Sequence, residues 1–282
     1  MTVHFIGAGP GAADLLTLRA VALLAASPVC VYAGTYVTDE VLAHCPPDAT
    51  LIDSRQLDLD QITEHLVRGH ADGHDVARLC SGDPSIYSAL TEQTRRLDAA
   101  GVPWDVTPGV PAYAAAAALL GLELTVPEVA QTVILTRTQA ASTRMPASES
   151  LSSLARSHAT LALHLAIRRT RELAAELTEE YGADCPVAVV AEATAPGQVI
   201  LRGTLADIGD QVEAAGLRQA AIILVGEALR GPAHVDLVES HLYGARDRGL
   251  ARTRGQASLE AGESTNRGHD EGGDGEPRDA QR

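Results

Sequence analysis

Short apolar runs alternate with helical patterns along the first 225 residues, and glycine or proline turns separate them. The apolar runs predict strands at residues 3–6, 28–32, 75–80, 102–107, 133–136, 160–165, 186–191 and 221–225. Helical spacing of apolar residues predicts helices at residues 14–25, 59–68, 85–99, 113–120, 150–156, 169–181 and 205–215. Such alternation is typical of an α/β protein with mostly parallel or mixed sheets covered by helices.

The pattern restarts after Pro127, which predicts two α/β domains at residues 1–126 and 127–243. From Gly244 on, the composition changes. Residues 244–282 are rich in glycine, arginine and acidic residues but contain only two leucines and no aromatic residue. A segment of this kind cannot bury enough apolar surface to offset its chain entropy, so it is predicted to be a disordered tail.

The basic residues exclude several kinds of chemistry. All 22 of them are arginine, and the absence of lysine rules out a P-loop lysine, a Schiff-base lysine and a lysine general base. The net charge of −15 argues against nonspecific nucleic-acid binding, because phosphate neutralisation requires a basic face.

The cysteines and the apolar runs narrow the remaining classes of protein. The four cysteines are scattered, without zinc spacing or a disulfide framework, and the polar turn at residues 70–75 is interpreted as solvated, so no metal is predicted. The sequence shows no leader-like segment, and no apolar run approaches the roughly 18–20 residues that span a bilayer. We therefore expect a soluble cytoplasmic protein without membrane contact.

The first turn fits a dinucleotide-binding pattern in a formal sense. Gly7, Gly9 and Ala12 match GxGxxG/A between a strand and a helix. A nicotinamide or flavin enzyme places an acidic residue at the end of the second strand, where this chain has Tyr32-Ala33-Gly34, and Pro10 lacks the N–H that could face a pyrophosphate. The alternatives are a plain glycine turn for tight packing, or a different ligand cleft.

Two further turns also follow predicted strands. Ser81-Gly82-Asp83-Pro84 follows the third strand, and residues 107–112 follow the fourth. In open α/β sheets ligands bind at the carboxyl ends of the strands, so both turns are candidate sites. Alternatively, Asp83 only caps the next helix. His164 lies among apolar neighbours and is either a sheet histidine or a cleft residue.

Together these motifs resemble the tetrapyrrole (corrin/porphyrin) methyltransferase family. The resemblance covers about residues 2–230 and rests on five segments, in this order: Val3–Thr17, Arg78–Leu90, Thr107–Ala118, Thr160–Leu165 and Cys185–Thr194. It implies the tetrapyrrole methylase fold, with S-adenosylmethionine bound in a cleft between two α/β domains, in a homodimer.

The resemblance also implies which residues contact the methyl donor. They are Pro10, Ser81, Gly82, Asp83, Ile86, Pro111, Ala112, Leu165 and Ala193. Ser81 stands where the family usually has glycine, and Leu165 where it often has methionine. No catalytic residue is assigned, because an electron-rich tetrapyrrole carbon attacks a sulfonium methyl without an activated serine or cysteine.

Within the family, three segments look most like the branch that methylates precorrin-4, or cobalt-precorrin-4, at C11 to give precorrin-5 in cobalamin biosynthesis. They are residues 32–34, residues 130–138 and Met145-Pro146 before Glu149. The acceptor carries many carboxylates, which arginine binds with two parallel hydrogen bonds. The candidates for this role, each of which could instead be a solvated surface charge, are Arg137, Arg144, Arg168 and Arg169.

Three alternatives remain at this point. The chain could be another precorrin methyltransferase or a uroporphyrinogen-III C-methyltransferase. It could be an NAD(P)-dependent oxidoreductase, which the residues at the end of the second strand disfavour. It could also be a noncatalytic tetrapyrrole-binding protein that keeps the fold.

Overall fold

The computed structural model of the chain describes residues 1–138 and 145–231. All of these residues fall within one compact unit, Met1–Leu237. Arg144 and the predicted tail at residues 244–282 lie outside the described residues. No helix of the described part is both long and apolar enough to cross a membrane.

The first sheet is built from five parallel strands. They are β1 (Val3–Gly7), β2 (Val29–Tyr32), β3 (Thr50–Asp53), β4 (Val76–Cys80) and β5 (Trp104–Thr107). Their spatial order is β3-β2-β4-β1-β5. The central strand β4 is buried at every residue, as expected for a parallel sheet covered on both faces.

The second sheet is mixed. Its strands are β6 (Val133–Arg137), β7 (Thr160–His164), β8 (Pro186–Ala191), β9 (Val199–Thr204) and β10 (Ala221–Val225). In the order β6-β7-β10-β8-β9, only β6 and β7 are parallel, and the other neighbours are antiparallel. The predicted α/β class with parallel and mixed sheets is confirmed.

Eight α-helices cover the sheets in the described part of the chain. They are α1 (Leu18–Ala26), α2 (Asp39–Leu42), α3 (Leu59–Ala71), α4 (Leu90–Ala99), α5 (Ala112–Leu120), α6 (Leu151–Ala155), α7 (Thr170–Tyr181) and α8 (Ile208–Ala214). Asp58 is the N-cap of α3 and forms a reciprocal capping box with Gln61.

Three predicted helices begin clearly later than the sequence suggested, and the smallest of these shifts is that of α8, which begins at Ile208 instead of residue 205. The helix predicted over residues 85–99 begins only at Leu90, because Tyr87 and Ala89 adopt left-handed φ values of 53° and 55° that an α-helix cannot contain. The helix predicted from residue 14 begins at Leu18, where the Thr17 hydroxyl caps it by accepting a hydrogen bond from Ala20 N.

Three elements had no prediction, namely β3, β9 and α2. The two strands lie at the edges of their sheets and are at most partly buried, and their apolar runs are short: Leu51-Ile52 in β3 and Val199-Ile200-Leu201 in β9. Helix α2 spans only four residues, too few for a helical period.

Helix α5 lies before the predicted boundary at residue 126, yet it packs against the second sheet. Its buried face, Ala115, Ala116 and Leu120, joins one core with Ala162 and Leu224. A helix that follows the last strand of the first sheet thus packs on the second sheet, and the exact division at residues 126 and 127 stays a prediction.

A buried arginine holds the first sheet to its surroundings. Arg78 in β4 is only 7% exposed. Its Nε donates to Gln93 Oε1 at 2.9 Å, and its Nη1 donates to Ser54 Oγ at 3.2 Å and to the Val31 carbonyl at 3.3 Å. Burial lowers the pKa of this guanidinium, and neutral oxygens rather than a carboxylate receive its hydrogen bonds.

We expect Gln93→Met to lower the free energy of unfolding by about 2–3 kcal/mol, because it removes the hydrogen bond to a buried charge, and those of Gln93 Nε2 to the Ser88 and Ala89 carbonyls, at nearly constant volume. The control is Asp60→Asn, which breaks the exposed ion pair with Arg96 and should cost less than about 1 kcal/mol. Urea unfolding of both variants measures the difference, and equal small losses would contradict this role of Arg78.

Candidate functional site

Three loops meet at the carboxyl ends of the parallel strands. Gly7 and Cys80 are register partners at the ends of β1 and β4. Beyond them, Gly9 N donates to the Gly82 carbonyl at 3.1 Å, and Gly82 N donates to the Gly9 carbonyl at 2.8 Å. The loops after β1 and β4 are therefore joined through their main chains.

The loop after β5 approaches this pair too closely for side chains. A Cβ at Gly109 would lie 2.2 Å from the Gly82 carbonyl oxygen, and a Cβ at Gly7 would lie 2.4 Å from Gly109 N. Only glycine fits at Gly7 and Gly109, because the opposing atoms belong to the backbone and cannot rotate away. We call the backbone surface formed by Gly7, Gly9, Gly82 and Gly109 the glycine floor.

Asp83 ties two of these loops together. Its Oδ2 accepts from Gly109 N at 2.9 Å, and its Oδ1 accepts from Ser85 N at 2.8 Å and from the Ser85 hydroxyl. Partial burial works to raise the pKa of the Asp83 carboxyl, but these hydrogen bonds outweigh it and hold the pKa below its usual value. The interpretation of Asp83 as a helix cap is wrong, since α4 begins only at Leu90.

Loops of the second sheet complete the opposite side of the site. A Cβ at Gly11 would lie 2.8 Å from the Ala193 carbonyl, so the first turn meets the loop after β8 directly. Ala12 N donates to Thr194 Oγ1 at 3.0 Å, which joins the same two loops by a hydrogen bond.

Between these loops lies a cleft of about 980 Å³, at the upper end of the roughly 300–1,000 Å³ of small-molecule sites. All nine residues that the resemblance assigned to the methyl donor line it: Pro10, Ser81, Gly82, Asp83, Ile86, Pro111, Ala112, Leu165 and Ala193. Loops of both sheets contribute them, although they are far apart in sequence. That each residue contacts a ligand stays a prediction.

The arginines predicted to hold carboxylates differ in their position relative to the cleft. Arg168 and Arg169 line the cleft. Arg137 is the last residue of β6, directly before the cleft residue Thr138, and is not itself among the lining residues of the described chain. Arg144 lies outside the described residues.

Several cleft residues were not found from the sequence. They include Tyr87, Glu192, Arg218 and the segment Thr35–Thr38. Most follow a strand end, so the rule that ligands lie at strand ends could have found the segment after β2 and Glu192 after β8. The open question about His164 is resolved, since this residue lines the cleft at the end of β7.

Unusual backbone conformations collect at this cleft. Four of its non-glycine residues have positive φ, namely Tyr87 at 53°, Leu165 at 53°, Glu192 at 47° and Ala220 at 53°. Thr194, beside the cleft, has φ of 66° despite its branched Cβ. Such conformations persist only where the surrounding structure holds them, and they concentrate at ligand sites.

The geometry speaks against a dinucleotide site at the first turn. A pyrophosphate binds where a helix begins directly at the glycines. Here α1 begins only at Leu18, well past Gly11. Among residues 1–138 and 145–231, no group of three or more histidine, cysteine or acidic side chains is arranged to hold a metal ion.

Comparisons with known proteins place the chain in a family. The sequence pattern of the tetrapyrrole (corrin/porphyrin) methylases matches residues 2–209, which is more than half of the chain. A curated relative from Rhodococcus erythropolis, precorrin-4 C(11)-methyltransferase, is 56% identical over 245 residues, covering 87% of this chain and 97% of the relative.

Solved structures of other proteins resemble this chain in fold and in sequence. The X-ray structure of a cobalamin biosynthetic enzyme, cobalt precorrin-4 methyltransferase, has a TM-score of 0.78 at 36% identity, covering 82% of this chain and 96% of that one. A uroporphyrin-III C-methyl transferase from Thermus thermophilus, complexed with S-adenyl homocysteine, has a TM-score of 0.67 at 29% identity, covering 82% and 99%. The chain thus belongs to the tetrapyrrole (corrin/porphyrin) methylase family, as its motifs indicated.

Proposed function

We propose that this chain transfers a methyl group from S-adenosylmethionine to C11 of precorrin-4, giving precorrin-5 in cobalamin biosynthesis. One observation carries the proposal: the residues that the family resemblance assigns to the donor converge from both sheets on one cleft. The 56% identity to a precorrin-4 C(11)-methyltransferase over 97% of that enzyme supports the choice of acceptor and carbon.

The residues around the cleft fit the donor. Gly82, at φ of 63°, faces Pro111 Cα, to which a Cβ would lie at 3.6 Å, so the loops after β4 and β5 lie side by side at the cleft. Ile86 and Leu165 give the cleft apolar walls, whereas Asp83 and Glu192 give it two carboxylates that attract a cationic ligand.

When bound, the donor supplies a methyl group on a positively charged sulfur. The protein's contribution is to hold that methyl and the acceptor carbon about 3–3.5 Å apart and in line, which supplies much of the acceleration. The glycine floor and Asp83 hold the donor end of the cleft rigid, and the apolar walls exclude water. The chain needs no nucleophilic side chain, because the acceptor carbon itself supplies the electron pair.

The arginines of the cleft are suited to the acceptor's carboxylates. Arg168 Nε donates to the Arg218 carbonyl at 3.0 Å, which fixes the guanidinium at the cleft. Its other N–H groups are left to bind a carboxylate. Arg169 pairs with the exposed Glu172 through Nε at 2.7 Å. Arg137, directly before the cleft residue Thr138, and Arg144 remain candidates for the same role.

The direct test is incubation of the protein with precorrin-4 and donor labelled in its methyl group. We expect mass spectrometry to show one added methyl and NMR to locate it at C11. Cobalt-precorrin-4 and uroporphyrinogen III, run in parallel, separate this acceptor from those of related enzymes. A methyl at another carbon, or turnover of uroporphyrinogen III alone, would refute the assignment of the branch.

Binding measurements separate the remaining alternatives. Calorimetry should detect S-adenosylhomocysteine and not NADH, whereas the oxidoreductase alternative requires the reverse. A noncatalytic binding protein would bind precorrin-4 without forming product.

We also propose that the active form is a homodimer in the cytoplasm. The support is the family resemblance, together with an edge strand, β6, that carries the exposed Leu135 in the second sheet. Light scattering on the purified chain decides the oligomeric state, and a monomeric mass at full activity would contradict it.

A further inference from the structure

Two rings meet across the cleft without any assigned role. Tyr87 belongs to the loop after β4 in the first sheet, and His164 is the last residue of β7 in the second. Their ring centroids lie 5.3 Å apart at an interplanar angle of 53°. The Tyr87 side of this contact is 46% exposed, so the pair presents an aromatic surface to the cleft. We call Tyr87 and His164 the ring pair.

The tyrosine is held in place by its own loop. Its φ of 53° is a left-handed conformation that costs free energy for a residue with a large side chain. Directly after it, the Ser88 hydroxyl donates to the Pro84 carbonyl, and Gln93 Nε2 donates to the Ser88 carbonyl at 3.0 Å. A half-exposed aromatic ring fixed in this way is available for contact with a flat ligand.

One ring nitrogen of the histidine lacks a hydrogen-bond partner in the described structure. This nitrogen, His164 Nε2, is buried. Burial lowers the pKa of this imidazole, so the ring is uncharged at neutral pH and one ring nitrogen can accept a hydrogen bond. A buried polar atom without a partner is costly, and a ligand that supplies an N–H at this position would recover that cost.

The position of the ring pair favours the acceptor over the donor. Tyr87 directly follows Ile86, and His164 directly precedes Leu165, both of which are predicted donor contacts. The acceptor carbon must lie within about 3–3.5 Å of the donor methyl, so its subsite must adjoin these residues. Burial raises the pKa of Tyr87, Arg137 opposes that rise and Glu149 adds to it, so both a cation and a carboxylate lie near the same ring.

We infer that the ring pair forms the acceptor subsite, where the conjugated face of the tetrapyrrole packs on Tyr87 and a ring N–H of the macrocycle donates to His164 Nε2. The inference rests on the proposed function and adds to it the residues that position the acceptor. Both residues are positioning residues, because the methyl transfer itself takes place between donor and macrocycle.

The test uses two pairs of variants in the full chain. His164→Leu removes the acceptor nitrogen, and His164→Gln keeps a hydrogen-bonding side chain of similar reach. Tyr87→Leu removes the ring, and Tyr87→Phe keeps it. Trp104→Leu, which removes a partly exposed ring on β5 outside the cleft lining, is the matched control.

Two dissociation constants are measured for each variant. Absorption of the macrocycle reports precorrin-4 binding to the complex with S-adenosylhomocysteine, and calorimetry reports S-adenosylhomocysteine alone. We expect His164→Leu and Tyr87→Leu each to weaken precorrin-4 binding about tenfold, and to raise KM more than they lower kcat. The Gln and Phe variants should stay within about threefold of the native protein, as should every S-adenosylhomocysteine constant.

The outcomes separate the inference from the function on which it rests. Native protein that binds S-adenosylhomocysteine and methylates precorrin-4 supports the function whatever the variants do. Unchanged precorrin-4 affinity in both Leu variants would overturn the inference. So would an equal loss of both affinities, because it would place the ring pair at the donor or in the fold alone. If His164→Leu fails to fold, the half-exposed Tyr87 and its two variants decide.

Discussion

Gly109→Ala is expected to abolish measurable donor binding and to lower the free energy of unfolding by about 3 kcal/mol. The added Cβ would lie 2.2 Å from the Gly82 carbonyl oxygen, so the loops after β4 and β5 would have to move apart. Gly109 does not have a positive φ, and the cost therefore comes from steric overlap and not from backbone conformation. Calorimetry with S-adenosylhomocysteine and urea unfolding measure the two effects, and we expect affinity to fall at least a hundredfold.

The matched control for Gly109 is Gly101→Ala. Gly101 has a φ of 69° with nothing within 4 Å of an added Cβ, so alanine there meets only the left-handed backbone penalty of about 1 kcal/mol. This variant should keep native affinity for S-adenosylhomocysteine. If Gly109→Ala binds as tightly as Gly101→Ala, the glycine floor does not shape the donor site.

Asp83→Ala is expected to weaken S-adenosylhomocysteine binding by roughly ten- to a hundredfold. The change removes the acceptor of Gly109 N and of both Ser85 donors, so the loops after β4 and β5 lose their link at the edge of the glycine floor. A loss of about 2 kcal/mol in unfolding free energy should accompany it, because two backbone N–H groups lose a charged acceptor.

The control for Asp83 is Ser85→Ala, which removes one hydroxyl donor and leaves the carboxylate bound to both backbone N–H groups. We expect less than a threefold change in affinity. The sign of the pH dependence also follows from the lowered pKa of Asp83. Its stabilisation is present above the pKa of an unfolded aspartate and is lost as the pH falls through the lower folded value. Native affinity in Asp83→Ala would remove this residue from the site.

The sequence predicted four of the five strands of the first sheet, because strands such as β1 and β4 are largely buried and mostly apolar, interrupted only by His4 and Arg78. It also placed the loop at Ser81–Asp83 at the end of a strand, where the structure has it. What it missed is partly exposed, such as the edge strands β3 and β9. The edge strands β5 and β6 were nevertheless predicted, so edge position alone does not decide; β3 has only Leu51 and Ile52 between polar residues, and the apolar run of β9 stops after Val199–Leu201.

Contacts between distant segments limited the prediction of the site. That Gly11 touches Ala193, or that Tyr87 reaches His164, depends on how the two sheets pack and leaves no local pattern. A different limit explains the error over residues 85–89, where Tyr87 and Ala89 adopt a left-handed backbone that local propensity opposes. Only the family resemblance linked Leu165 and Ala193 to the first turn.

The glycine floor has a consequence for how new specificities can arise on this fold. Because peptide groups form it, mainly through the paired hydrogen bonds between Gly9 and Gly82, its shape is independent of most neighbouring side chains. The surrounding walls can therefore be rebuilt by mutation without dismantling the support beneath them. An engineer who wishes to redirect methylation to another ring carbon should leave this surface untouched and diversify wall positions such as Tyr87.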